Sequence, residues 1–509
     1  MKSDKADTAE FSRLRRIFFP IYVYELKKVL PMAFIFFFIL TIYTLTRNVK
    51  DSLVVTAPNS GAEVLSFLKL FCVTPAAFIF LILYAKASNL LNSERLFYAT
   101  LAPFVVFFGL FGFVIYPHLD FFQPLPETVA TWQAAFPRYK WIIAVCGNWT
   151  YSLFYVLSEI WGSAIISLSF WQFANQITKI SEAKRHYAFF GFMAQTALIV
   201  SGALGKHFSQ VTVINSGSDA WGQSLRWLMG MVFIFGLLIM VVYRWMYKYV
   251  LTDPRFYDRA ELPSSTGKKK PKVSLSQSFK EILTSPYLGL IALLVICYGT
   301  SVNFVEAVWK SQVKILHPNP NDFNAFMGQY TIVLGFASMA MMLVGSNILR
   351  LFSWFTAAVI TPVLLLAMGG VFFVFVVFRT GLAPVIESIG TTPVILAVVL
   401  GAIVAGATKA TKYALFDLTK EMAYIPLDEE MKVKGKATVD VLGGRLGKAS
   451  GAGFQAMLFV LIPGATFLQI SPIVAVAFLI VCAVWILSVK GLSKRITAIA
   501  KDKPAQAAT

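Results

Sequence analysis

Twelve times along its 509 residues the chain runs through an apolar stretch on the scale of a bilayer crossing. The hydrocarbon layer is about 30 Å thick, and a helix rising about 1.5 Å per residue needs roughly 20 apolar residues to span it. With no water to satisfy backbone polar groups, stretches of this length must be helical. The expected spans lie near 31–46, 66–85, 96–116, 146–174, 187–207 and 225–248, then near 286–309, 326–349, 354–378, 392–416, 437–462 and 469–489. Composition agrees, because 57% hydrophobic and 14% charged residues lie outside the range of soluble domains. The expected fold class is an all-α polytopic membrane protein with 12 transmembrane helices.

The spans fall into two sets of six around one long polar loop that contains Lys268-Lys269-Lys270-Pro271-Lys272. The expected organisation is a basic tail (1–30), a six-helix bundle (31–248), a basic linker (249–285), a second six-helix bundle (286–490) and a tail (491–509). A weak internal repeat supports two halves: Ser88-Asn89 ends the second span as Ser346-Asn347 ends the eighth, an offset of 258 residues. Basic residues gather at the N-terminus, after even-numbered spans and at the C-terminus, so both termini and the linker are expected in the cytoplasm. Twelve helices in two halves, with ionisable residues inside them, resemble a secondary transporter of the major-facilitator type.

Several function classes fall away. The formal charge of +19 sits mostly on loops and tails, where it fits membrane topology rather than nucleic acid. Arg15-Arg16-Ile17-Phe18 faintly resembles a twin-arginine signal, but the span that follows is long enough to stay in the membrane. Neither a cleavable signal nor a transit peptide is visible, which favours a bacterial inner membrane. Cys72, Cys146, Cys297 and Cys482 all lie in apolar spans, and the histidines are scattered. No disulfide framework, metal site or cofactor is expected. Gly447-Lys448-Ala449 mimics a P-loop only superficially, since Leu442 stands where glycine is required and Ala449 where a magnesium-binding hydroxyl belongs. Gly443, Gly447 and Gly451 read instead as a small-residue stripe for close helix packing.

The informative residues are cations where oil is expected. Arg47 and Lys50, Lys409 and Lys412, and Arg445 and Lys448 form three basic pairs spaced i, i+3, and Lys69 stands inside the second span. A cation near the middle of a membrane helix costs about 2.5–3.5 kcal/mol on insertion scales, and such residues normally face a polar cavity or a counter-charge. Lys409 and Lys412 read equally well as a helix end whose lysines reach the interface. Within the spans only Glu159 and Glu306 oppose these bases, as internal counter-ions or as a proton-accepting group. A pathway so cationic selects a polyanion, and a phosphate ester fits the bidentate fork of arginine and the mobile charge of lysine. Tyr43, Phe67, Tyr151, Trp161 and Trp309 stand near these charges and could stack on a base, although packing and the interface belt also use such residues.

Several long motifs then carry a resemblance. They are the run from Lys412 to Asp428 followed by Lys432-Val433-Lys434-Gly435-Lys436, Asn48-Val49-Lys50-Asp51, Glu159-Ile160-Trp161-Gly162-Ser163, Phe173 to Lys179, Leu251 to Arg255, and Val305 to Lys310. Together they resemble the ATP/ADP translocases of plastids and obligate intracellular bacteria over almost the whole chain. The resemblance implies a twelve-helix exchanger that imports ATP against ADP, the latter leaving with phosphate in some members. The family's important charged residues map onto Lys69, Glu159, Glu306 and Lys448. In the resulting hypothesis Lys69, Arg445 and Lys448 clamp phosphates, Lys50 assists, Glu159 and Glu306 hold the lysines of the empty carrier, and Asn303 contacts base or ribose. A proton-coupled importer of other nucleoside triphosphates keeps the fold and makes Glu159 or Glu306 the proton carrier. A nucleotide-sensing or lipid-handling membrane protein is a third reading, against which the resemblance speaks. The expected partners are ATP, ADP, phosphate and the lipid bilayer; nucleic acid is not among them, and a monomer suffices.

Overall fold

A computed structural model describes residues 21–210, 219–253, 285–427 and 443–506, with the single positions 256 and 439. The basic run at Lys268–Lys272, the charged run from Asp428 to Lys436 and most of the N-terminal tail lie outside these residues. The described chain folds into long helices that start where local chemistry starts them. Asn92, Ser285, Ser353 and Thr392 each accept a hydrogen bond from the backbone N–H three residues on, and proline follows directly at Pro286 and Pro393.

In chain order the long helices are α1 (Leu26–Val55), α2 (Val64–Leu90), α3 (Ser93–Phe122), α4 (Trp149–Ile177), α5 (Ile180–Ser209), α6 (Ala220–Tyr249), α7 (Pro286–Leu316), α8 (Pro320–Leu351), α9 (Trp354–Val377), α10 (Pro393–Ala423), α11 (Gly444–Leu461) and α12 (Phe467–Gln506). Among the described residues eleven helices are long and apolar enough to cross a membrane, not the twelve expected. The remaining expected span, 437–462, lies partly outside the described residues, and glycines, Arg445 and Lys448 dilute the hydropathy of its described part, α11. Several boundaries also move. The first helix begins at Leu26 and continues through Arg47, Lys50 and Asp51 to Val55; α10 continues past Lys409 and Lys412 to Ala423; and α12 runs past 490 to Gln506. In the first two cases charges expected at a helix end lie within a longer helix.

α1 packs against α4, α5 and α6, and α7 packs against α10, α11 and α12 in the corresponding way. The first six helices meet the last six chiefly through α5 against α8 and α2 against α11, with α1 also touching α7 and α8. Small residues permit the closest approaches. A Cβ at Gly202 on α5 would lie 2.6 Å from the carbonyl oxygen of Gly328 on α8, and one at Gly447 on α11 would lie 2.8 Å from that of Ile296 on α7. Gly443 and Gly451 also face α7, at Val295 and at Asn303, so the glycine stripe of α11 is a packing seam.

Candidate functional site

Between the helices lies a chamber of two lobes. The larger, about 530 Å³, is walled mainly by apolar and aromatic side chains such as Phe36, Trp171, Tyr187, Trp309 and Tyr330. The smaller, about 260 Å³, is lined by Lys50, Lys69, Glu159, Asn303, Glu306 and Lys448. Tyr43, Arg47, Lys310, Lys409 and Tyr413 line both, so the lobes share a wall of cations and phenols. The two together present seven basic side chains and four acidic ones.

Most of these charges are paired across helices. Asp51 accepts from Lys50 at 2.9 Å and from Lys310 at 2.7 Å, joining α1 to α7. Lys50 also reaches Glu159 on α4 at 3.0 Å and lies 3.7 Å from the centre of the Tyr155 ring. Glu306 holds Lys409 of α10 at 2.8 Å, with Arg47 at 4.0 Å. Lys412 reaches Asp417 at 2.7 Å. Two cations differ from the rest: among the described residues neither Lys69 nor Lys448 has a carboxylate within 4.0 Å. Lys69 makes only a long contact of 3.4 Å with Asn303 Oδ1. Both sit where the backbone is unusual or crowded: Lys69 on a π-helical turn at Leu68–Val73, Lys448 one residue beyond the Gly447 seam.

Of the residues singled out from the sequence, Lys50, Lys69, Glu159, Asn303, Glu306 and Lys448 line one lobe together. Arg445 does not line either lobe; its guanidinium donates to Ser163 Oγ on α4 at 3.1 Å. Lys50, expected to assist, is held by two carboxylates in this state. The amide of Asn303 is occupied at both ends, since Nδ2 donates to the Lys448 carbonyl at 2.9 Å and Oδ1 faces Lys69. Asp51, Lys310 and Asp417 also line the chamber, so carboxylates beyond Glu159 and Glu306 oppose the bases, contrary to expectation. The sequence left the place of Lys409 and Lys412 open; both line the chamber. A signal for Asp51 was present in Ser52-Leu53-Val54-Val55, apolar enough to carry α1 beyond its charges.

The end of the molecule opposite the start of α1 is closed by contacts between the first six and last six helices. Glu63 accepts from the backbone N–H of Phe467 at 3.0 Å, Trp141 Nε1 donates to the carbonyl of Ala465 at 3.0 Å, and Ser66 donates to Gln455 at 2.9 Å. Lys314 donates to the Ser60 carbonyl, and Ser52 donates to Asn324 at 3.3 Å.

Residues 4–496 match the TLC ATP/ADP transporter family. The chain belongs to that family. It is 49% identical over 501 residues to ADP,ATP carrier protein 1 of Chlamydia muridarum, covering 97% of this chain and 94% of that one. It is 44% identical over 498 residues to ADP,ATP carrier protein 1 of Rickettsia bellii, covering 97% and 98%. The chloroplastic ADP,ATP carrier protein 1 of Arabidopsis thaliana is 40% identical over 486 residues, covering 95% of this chain and 76% of that one. Among solved structures, a bacterial homologue of the iron transporter ferroportin, inward-facing, aligns with a TM-score of 0.59 at 14% identity over 92% of this chain and 100% of that one. The nucleoside transporter NupG aligns at 0.52 and 11% identity, over 91% and 99%. At such identities the likeness concerns the fold alone, and that fold is the major-facilitator architecture.

Proposed function

We propose that the protein exchanges ATP for ADP across the bilayer by alternating access, with two six-helix halves, 31–248 and 286–490, rocking about the chamber. The observation that carries this reading is the pair Lys69 and Lys448, cations with no carboxylate within 4.0 Å among the described residues, in a chamber whose other bases are mostly matched. In a low-dielectric site such charges stay uncompensated until a polyanion enters. The phosphate chain binds Lys69 and Lys448, and its remaining charge competes with Glu159 and Glu306 for Lys50, Arg47 and Lys409. On release the two carboxylates take these bases back. Asn303, fixed between Lys69 and Lys448, positions that pair. Arg445 acts as a bridge between α11 and α4 rather than as a phosphate ligand.

Exchange rather than leak follows from charge. An uncompensated charge is costly to carry through the low-dielectric occluded state, with or without a membrane potential, so a cationic chamber reorients more readily when a nucleotide neutralises it. With both termini and the linker in the cytoplasm of a bacterium and the protein in its inner membrane, the closed end of this structure faces outward. ATP then enters and ADP leaves, alone or together with phosphate. The proton-coupled alternative needs a carboxylate free to collect a proton, whereas Glu159 and Glu306 each stand within 3.0 Å of a lysine.

Purified protein in vesicles preloaded with ADP tests the clamp. Hydrogen bonds to charged groups contribute about 1.5–3 kcal/mol, so Lys69→Gln or Lys448→Gln is expected to weaken the apparent affinity for ATP on the order of 10- to 100-fold. Undiminished uptake of labelled ATP by Lys448→Gln, at sub-saturating ATP, contradicts the assignment.

A further inference from the structure

The cationic lobe accounts for a phosphate chain and leaves the larger lobe without a task. That lobe is built differently. Trp309 and Tyr330 face each other with ring centroids 4.9 Å apart, and Phe36, Trp171 and Tyr187 continue the aromatic wall, with 5.6 Å between Phe36 and Trp171 and 5.0 Å between Trp171 and Tyr187. Two polar groups interrupt it. Gln195 on α5 is 7% exposed, Tyr330 on α8 is 8% exposed, and among the described residues neither Gln195 Oε1 nor the Tyr330 hydroxyl has a hydrogen-bond partner. A buried polar atom left unpaired is costly, and native structures rarely keep one without a use. Both residues line the larger lobe, and because neither atom is itself exposed to it in this state, each gains a partner there when its side chain turns toward a ligand. The wall joins the cationic lobe through Arg47, Lys310 and Lys409, so a molecule with a flat apolar end and a polyanionic end spans both.

Resting on the nucleotide reading above, we infer that the aromatic lobe seats the nucleobase, and that Gln195 and Tyr330 determine which base is accepted. A glutamine amide pairs well with adenine, its carbonyl accepting from the exocyclic amine and its amino group donating to a ring nitrogen. The terminal torsion of glutamine is soft, so the amide turns toward the base at little cost. The Tyr330 hydroxyl supplies a second donor, while the rings stack on the base. The Asn303 amide, engaged at both ends by Lys69 and Lys448, is not the reader of the base.

The test is competition against labelled ATP on the full-length protein in vesicles, with three probes: ATP, purine riboside triphosphate, which lacks the exocyclic amine, and inorganic tripolyphosphate. Wild type is expected to prefer ATP over purine riboside triphosphate by about tenfold, the size of one neutral hydrogen bond left unmade. Gln195→Leu is expected to bring that ratio close to one. Tyr330→Phe, which removes a single oxygen and keeps the ring, is expected to weaken both nucleotides several-fold while leaving displacement by tripolyphosphate unchanged. Tripolyphosphate competition also reports that each variant is folded and that its phosphate side works. Wild-type discrimination retained by Gln195→Leu, or wild-type affinity for both nucleotides retained by Tyr330→Phe, overturns the inference and leaves nucleotide exchange standing. A wild-type protein that neither binds nor exchanges any nucleotide overturns the reading beneath it.

Discussion

Asp51, 1% exposed, receives one lysine from its own helix and one from α7, and the fate of that carboxylate decides how the buried bases behave. Removing one member of a buried ion pair leaves a charge without compensation and typically costs about 3–5 kcal/mol, whereas removing both is often neutral. Asp51→Asn is therefore expected to lower the thermal midpoint of the detergent-purified protein markedly, because Lys310 has no other carboxylate within 4.0 Å among the described residues. Lys310→Met added to that variant is expected to restore much of the loss. A double variant no more stable than the single one contradicts the pairing. At this scale the sequence exposes charges but not their partners. Glu159 and Glu306 are legible because an acid inside an apolar run must be compensated. That Glu159 meets Lys50, or that Asp51 meets a lysine 259 residues away, depends on helix packing that no local pattern encodes.

Helices meet in this molecule where side chains are absent. At Gly202 a Cβ would lie 2.6 Å from the Gly328 carbonyl oxygen and 2.9 Å from the backbone nitrogen of Ile332, both parts of α8 that cannot yield. Gly202→Val is expected to separate α5 from α8, with reduced yield and thermal midpoint. Gly370→Ala on α9, where nothing lies within 4 Å, is expected to leave both unchanged or slightly improved. Equal effects of the two substitutions contradict a packing role for Gly202. Between helices, closure of one end turns on Glu63, whose carboxyl burial pushes above its ordinary range, against the hydrogen bond from Phe467 and the charges of Lys314 and Lys140. The closed end therefore favours the protonated carboxyl. Its contribution is fully present at low pH and is lost as pH rises through the raised value. A cysteine placed at Ser66, in a background without other cysteines, is expected to react more slowly with a membrane-impermeant reagent as pH falls, beyond the fall that the thiolate fraction of an exposed cysteine shows in the same protein, and Glu63→Gln to remove that excess. A rate that rises as pH falls contradicts this sign. Element existence was largely legible, because apolar length fixes where a membrane helix lies. The ends of α1 and α10 were not, since charges that close a span and charges that line a cavity within one look alike in sequence. α11 shows the converse: the span expected near 437–462 is present as a helix, although glycines and cations dilute the hydropathy of its described part.

At the scale of the whole molecule, the chain places a cationic lobe beside an aromatic one, closes one end with contacts between its first six and last six helices, and belongs to a family of ATP/ADP transporters. One requirement ties these facts together: the chamber's positive charge must be neutralised by a nucleotide before the halves reorient. The direct measurement is uptake of labelled ATP into vesicles containing the purified protein, with and without ADP inside, at zero membrane potential and with a protonophore present. That requirement predicts rapid uptake into ADP-loaded vesicles, release of ADP in proportion, and almost none into empty ones. Equal accumulation in empty vesicles, or uptake that collapses when the protonophore is added, would contradict it.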